Sequence, residues 1–275
     1  MTFNNIFENE DEFAKLKLYI KSSKDYEFLN TNKHLRSNIA LLTLGGSYSY
    51  GLNIESSDID VRGVALNSKE DILTYNDFET VVDNNTDTTM YSFMKFMNLL
   101  YRGNPNIIEI LGCKDYLYLS DVGRHIIDNR NIFITKHLIS SYKGYIYDTK
   151  SVICSTRIEA YTETTNTIKH KTSKRMRELA RLYYTAIDIL SKGEIITYRK
   201  DNSACYEFLK DVQSGEYLKL AGKYYVIDPD YFSIINILDS KFNNLCEHNN
   251  LPNQVNMGRY TKLIKDINLQ QILDK

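Results

Sequence analysis

Apolar and polar positions alternate along this chain in two distinct textures. Residues 11 to 29 place Phe13, Leu16, Leu18, Tyr19, Phe28 and Leu29 on a broad apolar stripe, which predicts a leading helix. NIALLTLGG follows, a short apolar run stopped by paired glycines, and reads as a buried strand. SYSYGLNIESS has no period and reads as a loop. DIDVRGVAL alternates, with Ile59, Val61 and Val64 offset around Gly63, so a second strand with a bulge at that glycine is expected. FETVVD and DTTMY are two more short strands around the turn-like NNT.

The texture then becomes helical. YSFMKFMNLLYRG is a helix closed by Gly103, and NPNIIEILG a second one with Pro105 near its start. Helices are expected over 120–133, 136–165, 171–192, 203–213, 231–248 and 256–273, interrupted by one strand, EIITYRK. The expected fold is therefore α+β. A mixed sheet with helices over 1–118 precedes a mostly helical domain over 119–275.

Composition narrows the class. A net charge of -1 with 43% hydrophobic residues over 275 positions excludes whole-chain disorder, and equally a protein that coats nucleic acid by bulk charge. Ile39 to Leu44 is the longest apolar stretch, interrupted by Thr43 and far short of the roughly 20 residues a membrane helix needs. The N-terminus MTFNNIFENEDEF is acidic and polar, unlike a signal peptide. Cys113, Cys154, Cys205 and Cys246 are dispersed without a CxxC pair, and read as reduced, mostly buried thiols. A cytoplasmic location without membrane attachment is the expectation. The chain has 22 Tyr and no Trp.

The informative segment is LLTLGGSYSYGLNIESSDIDVRGV. On a strand, residues i and i+2 share a face, so Asp58 and Asp60 would stand side by side. Two such carboxylates repel unless a cation lies between them. Mg²⁺ (or Mn²⁺) suits this role, because it favours one or two carboxylates together with phosphate oxygens. Gly45, Gly46 and Ser47 supply a turn whose backbone can approach phosphates closely. Arg62 shares the face of Asp60, and a salt bridge to the pair is the local alternative to a metal. Tyr48 and Tyr50 flank the loop, either to stack on a base or to wall a cleft.

Strand, Gly46-Ser47, ten residues, then Asp58-Ile59-Asp60 resembles the signature of the DNA polymerase beta nucleotidyltransferase superfamily. GSYSYGLNIESSDIDVRGV with KFMNLLYRGNPNIIEIL is similar to its RNA-repair-pathway branch, the RlaP or YcgL type. FITKHLISSYKGY and KRMRELARLYYTAIDILSKGE extend the likeness over most of residues 41 to 200. The resemblance implies a third carboxylate on a later strand: Asp87, with Asp83 and Glu79 as rivals. Asp58, Asp60 and Asp87 would be catalytic and metal-holding. Gly45, Gly46, Ser47, Tyr50, Arg62, Lys174 and Arg181 would bind the nucleotide.

The implied reaction moves an NMP from an NTP to a hydroxyl, with RNA or a tRNA end favoured over a protein or small-molecule acceptor, and releases pyrophosphate. Lys169, Lys171, Lys174, Arg175, Arg177 and Arg181 face only Glu178 in sign, and Lys174 and Arg181, seven apart, share a helix face. A solvated basic face is the plainer account of that run. The likeness also draws attention to Asn104 and Glu109, although a helix-start turn explains Asn-Pro-Asn by itself. His34, His125, His137, His170 and His248 are scattered and form no ligand set. A catalytically silent nucleotide- or RNA-binding module is the alternative from another class. A metal-dependent glycosyltransferase is a third, disfavoured because the phosphate loop lies ten residues before the Asp-x-Asp.

Overall fold

The computed structural model describes residues 11–273. Most of the acidic N-terminal stretch lies outside the described residues. In chain order the helices and strands are α1 (Asp11–Ser22), α2 (Phe28–Thr31), β1 (Ile39–Leu44), α3 (Gly46–Tyr50), β2 (Val61–Ala65), α4 (Lys69–Thr74), β3 (Thr80–Asp83), β4 (Thr88–Ser92), α5 (Phe93–Tyr101), α6 (Pro105–Ile108), β5 (Tyr118–Leu119), α7 (Asp121–Asp128), α8 (His137–Ser155), β6 (Ile158–Glu159), α9 (Thr165–Lys192), α10 (Ser203–Ser214), β7 (Leu218–Ala221), β8 (Tyr224–Ile227), α11 (Pro229–Glu247) and α12 (Met257–Leu273). Among the described residues no helix is long and apolar enough to cross a membrane.

The chain forms two compact units. The first comprises residues 1–101, 113–133 and 256–275; the second comprises 102–112 and 134–255. A single cut between 118 and 119 was expected. Instead the C-terminal helix α12 folds with the N-terminal sheet, where Tyr260 packs its ring 5.4 Å from Tyr101 and 6.2 Å from Phe133. That return is a long-range event, and no local pattern in 256–273 encodes it.

The first unit is built on a five-stranded mixed sheet ordered β3-β4-β2-β1-β5. β1 runs antiparallel to β2 and β5, and β2 runs parallel to β4. Every residue of β1 is buried, which fits its apolar sequence, broken only by Thr43, and its place between two neighbours. Leu16 and Ile20 of α1, Leu29 of α2, and Leu42, Leu44, Val61, Ala65 and Met90 of the sheet form one core. Gly63 sits in regular register opposite Leu42, so the bulge expected there is absent. The register shift falls in β1 instead, between Ile39 and Leu41. Gly63 is required by space: a Cβ would come within 2.6 Å of Leu42 and of Met90 Sδ.

The second unit is organised around the 28-residue helix α9, against which α8, α10 and α11 pack. A three-stranded sheet ordered β6-β8-β7 joins them. Two local expectations fail here. The helix expected over 136–165 ends at Ser155, because Ile158 and Glu159 pair with Tyr225 and Tyr224. EIITYRK alternates like a strand yet finds no ladder. Thr197 donates its N–H to Gly112 (3.3 Å) and its hydroxyl to the Glu109 carbonyl (2.8 Å) instead. The β7–β8 hairpin went unread, although Gly222 at φ +63° marks its turn. Among the thiols only Cys205 is buried; Cys154 is exposed.

Candidate active site

The site grows from the ends of three adjacent strands in the first unit. β1 ends at Leu44, and Gly45 continues the ladder by donating its N–H to the Asp60 carbonyl at 2.8 Å. Gly46 then turns the chain at φ +54° into the short helix α3, so SYSY is helical rather than the expected loop. Left-handed backbone favours glycine at this position. A second reason is steric, since a Cβ on Gly46 would overlap Asp60 Oδ2. The Gly-Gly pair thus lets backbone lie directly on a carboxylate. Gly45 was expected to offer its N–H to a phosphate, but that donor is engaged by Asp60. The first-turn amides of α3, at Gly46 and Ser47, have no i−4 acceptor within the helix.

β2 begins only at Val61, so Asp58 and Asp60 precede the strand rather than sharing its face. Asp60 is half-buried and Asp58 exposed. The neighbour that matters for Asp60 is set by parallel pairing. Val61 of β2 is in register with Thr88 of β4, which places Asp60 and Asp87, each one residue upstream, at adjacent strand ends. The turn before β4 is locked by Asp83, whose Oδ2 accepts from the Thr86 N–H at 3.0 Å and hydroxyl at 2.8 Å. Asp87 follows at φ +47°, a conformation that Asp tolerates better than most residues. This turn aims the Asp87 carbonyl at the Val61 N–H, 3.2 Å away.

Arg62 occupies the centre. Its Nη1 donates to the Asp87 carbonyl at 2.8 Å and to the Val61 carbonyl at 3.0 Å. Its Nη2 lies 3.5 Å from Asp60 Oδ1 and 3.9 Å from Asp87 Oδ1. The arginine stem runs over Gly45, where a Cβ would stand 3.1 Å from its Cγ. Asp60 and Asp87 therefore converge on one cation.

Of the rival third carboxylates, Asp83 serves the turn and Glu79 pairs with Lys95 Nζ at 2.7 Å. Asp87 is the one that the structure brings to Asp60. Among the described residues no three His, Cys, Asp or Glu groups stand close enough to hold a metal ion. Ser47 is nearly buried at the start of α3, Tyr50 half-buried at its end, and Tyr48 packs on the core.

Lys174 and Arg181 belong to the second unit and differ in kind. Lys174 is exposed on α9. Arg181 is buried, in an ion pair with Glu109 and 3.3 Å from Asn106 Oδ1. The resemblance implied a nucleotide-binding role for Arg181 alongside Lys174. Its guanidinium is instead covered by the 105–112 segment, a long-range contact that helical spacing does not encode. The same cluster continues through Thr185, which donates to Glu109 Oε1 at 3.3 Å, to Arg199 and Asp188. Arg199 had no sequence signal, since nothing in EIITYRK marks its arginine as buried.

No curated protein matches the chain. A family described as RNA repair pathway DNA polymerase beta (RlaP) matches residues 20–183, well over half of the chain, and that span contains every residue of the strand-end cluster just described. The chain belongs to this RNA repair pathway DNA polymerase beta family, a family of polymerase beta-like nucleotidyltransferases.

Proposed function

We propose that this protein transfers an NMP from an NTP to a hydroxyl, with RNA as the acceptor. The observation that carries the reading is the convergence of Asp60 and Asp87, from adjacent parallel strand ends, on a single cation beside a Gly-Gly-Ser turn. The donor set is made of hard carboxylate oxygens at a partly exposed rim. Such a set fits a Mg²⁺ (or Mn²⁺) that keeps water and substrate phosphate as its remaining ligands, and does not require three protein carboxylates in one cage. Asp60 and Asp87 would hold it, with Asp58 two residues away at the exposed edge. When bound, the ion supplies charge stabilisation at the entering and departing oxygens.

The remaining work falls to the chain. The Gly46 and Ser47 amides would donate to phosphate oxygens, with the Ser47 hydroxyl as a further donor. An acceptor hydroxyl attacks the α-phosphorus in line, its proton passing to an Asp87 carboxylate oxygen. The new O–P bond forms as the α–β anhydride breaks, and pyrophosphate leaves. RNA as acceptor is supported by the second unit. Lys171, Lys174 and Arg175 line exposed positions of α9, Arg157 lies 4.3 Å over the Tyr224 ring, and Lys169 lies 4.0 Å over Tyr225. Basic groups interleaved with aromatic rings suit a single-stranded backbone and its bases.

The test incubates the protein with each radiolabelled NTP and Mg²⁺, with tRNA, bulk RNA or no acceptor. Label transfer that disappears in Asp58→Ala and Asp60→Ala supports the enzyme. The pairing of Asp60 and Asp87 with Arg62 favours a second reading, a catalytically silent nucleotide-binding module. NTP binding without transfer to any acceptor would select it.

A further inference from the structure

We infer that Arg62 is a positioning residue that stands in for the divalent cation, holding the Asp60 and Asp87 carboxylates together until metal and triphosphate arrive. Resting on the nucleotidyltransferase reading of this site, the inference replaces the expected contact between Arg62 and nucleotide. The two halves of the guanidinium do different jobs. Nη1 is anchored on main chain, donating to the Val61 and Asp87 carbonyls at 3.0 and 2.8 Å. The stem is seated in the space that Gly45 leaves. Nη2, by contrast, faces side-chain charge, 3.5 Å from Asp60 Oδ1 and 3.9 Å from Asp87 Oδ1. Those separations are ion-pair distances, longer than a direct hydrogen bond, so the carboxylates are held by charge and not by tight donor geometry.

Two consequences follow from this division. First, the cluster assembles without metal. Two carboxylates at adjacent strand ends repel one another, and Nη2 supplies the positive charge that offsets this. The main-chain anchor also fixes the left-handed turn at Asp87, whose carbonyl accepts from both Arg62 and the Val61 N–H. Second, the same charge opposes a free divalent ion, because a cation bound to Asp60 and Asp87 would lie close to Nη2. The triphosphate removes this opposition by bringing negative charge of its own. Arg62 thereby makes the site load with metal–NTP together in preference to metal alone.

The experiment measures Mn²⁺ binding to the intact chain by electron paramagnetic resonance, with and without a non-hydrolysable NTP, beside thermal midpoints. Wild-type protein is expected to bind Mn²⁺ weakly alone and much more tightly with the nucleotide. Arg62→Gln is expected to bind Mn²⁺ alone about tenfold more tightly, a modest share of what one unit charge a few Å away exerts near a protein surface. Its metal-free midpoint should fall, and Mn²⁺ should restore it. Arg62→Lys keeps the charge and loses the two-carbonyl fork, so its Mn²⁺ affinity should stay near wild type.

If wild type gains Mn²⁺ affinity with nucleotide but Arg62→Gln binds free Mn²⁺ no better than wild type, the stand-in role falls and the nucleotidyltransferase reading survives. If neither protein binds Mn²⁺ even with nucleotide, both fall. The midpoints report folding of each variant directly, so a misfolded protein is not mistaken for a negative result.

Discussion

Arg62 and Arg181 each sit among acidic side chains, in surroundings that could hardly differ more. Around Arg62, in the first unit, the partners are open to water: the Asp87 side chain is 63% exposed and Arg62 itself 28%. Around Arg181, in the second, the arginine is 7% and Glu109 5% exposed. The buried cluster is also closed on itself, with Thr185 and Arg199 continuing it to Asp188. Similar residue types thus serve two purposes. Where water and ligands can enter, a carboxylate pair is available to an incoming cation. Where they cannot, each charge is tied to its neighbour, and the cluster only specifies how the helices pack.

The sharpest way to break this contrast is to remove one partner from each side. Glu109→Ala should leave Arg181 buried without its counter-charge and lower stability by about 3–5 kcal/mol, read from denaturant unfolding. NTP binding per folded molecule should be unaffected. Asp60→Asn should do the reverse, lowering label transfer by about 10²- to 10³-fold while the unfolding midpoint moves little. If Asp60→Asn instead unfolds the protein and Glu109→Ala spares it, the two clusters have been assigned the wrong way round.

Alkaline pH probes buried groups in both units. Burial pushes the Cys205 thiol of the second unit from 9.0 up to about 12, and the Tyr26 hydroxyl of the first from 10.0 up to about 12. Both groups stay protonated in the folded chain at pH values where the unfolded chain ionises. The stability they contribute is complete below their ordinary values and is lost as pH rises toward 12. Thermal midpoints should therefore start to fall above pH 9, and Cys205→Ser should make that fall shallower, leaving the part due to Cys246 and the buried tyrosines. An unchanged slope would remove Cys205 from the account.

Gly46→Ala should cost about 1–2 kcal/mol for the left-handed backbone, and should also depress transfer, because the new methyl displaces the Asp60 carboxylate. Gly193→Ala is the control. It sits at φ +69° with open space around it, so it carries the backbone cost alone. The smallest effect is expected at the basic face. Lys171→Ala with Lys174→Ala should weaken RNA binding equally for all sequences and reduce the salt-dependence slope by about one per lysine.

Much of this was legible locally. The strand–Gly-Gly-Ser–Asp-x-Asp order announced a turn where backbone comes close to a carboxylate, because such close approach needs glycine. The short strands within FETVVD and DTTMY showed in their β-branched residues, and α5, α10, α11 and α12 in their apolar periods. What failed had a common cause. EIITYRK has strand-like alternation but no partner edge, whereas Ile158 and Glu159 gained one from a hairpin far along the chain. Arg181 looked like an exposed partner of Lys174 because helical spacing gives a face, and says nothing of what covers it.

The sequence by itself determined the chemistry available here: two acids, a third one downstream, an arginine beside them and glycines where backbone must come close. Tertiary structure decided which of these meet. Parallel pairing of β2 with β4 put Asp87, rather than Asp83 or Glu79, beside Asp60. It also decided which arginine faces water. Register and burial arise from contacts between segments far apart in the chain, and no short window of sequence contains both partners.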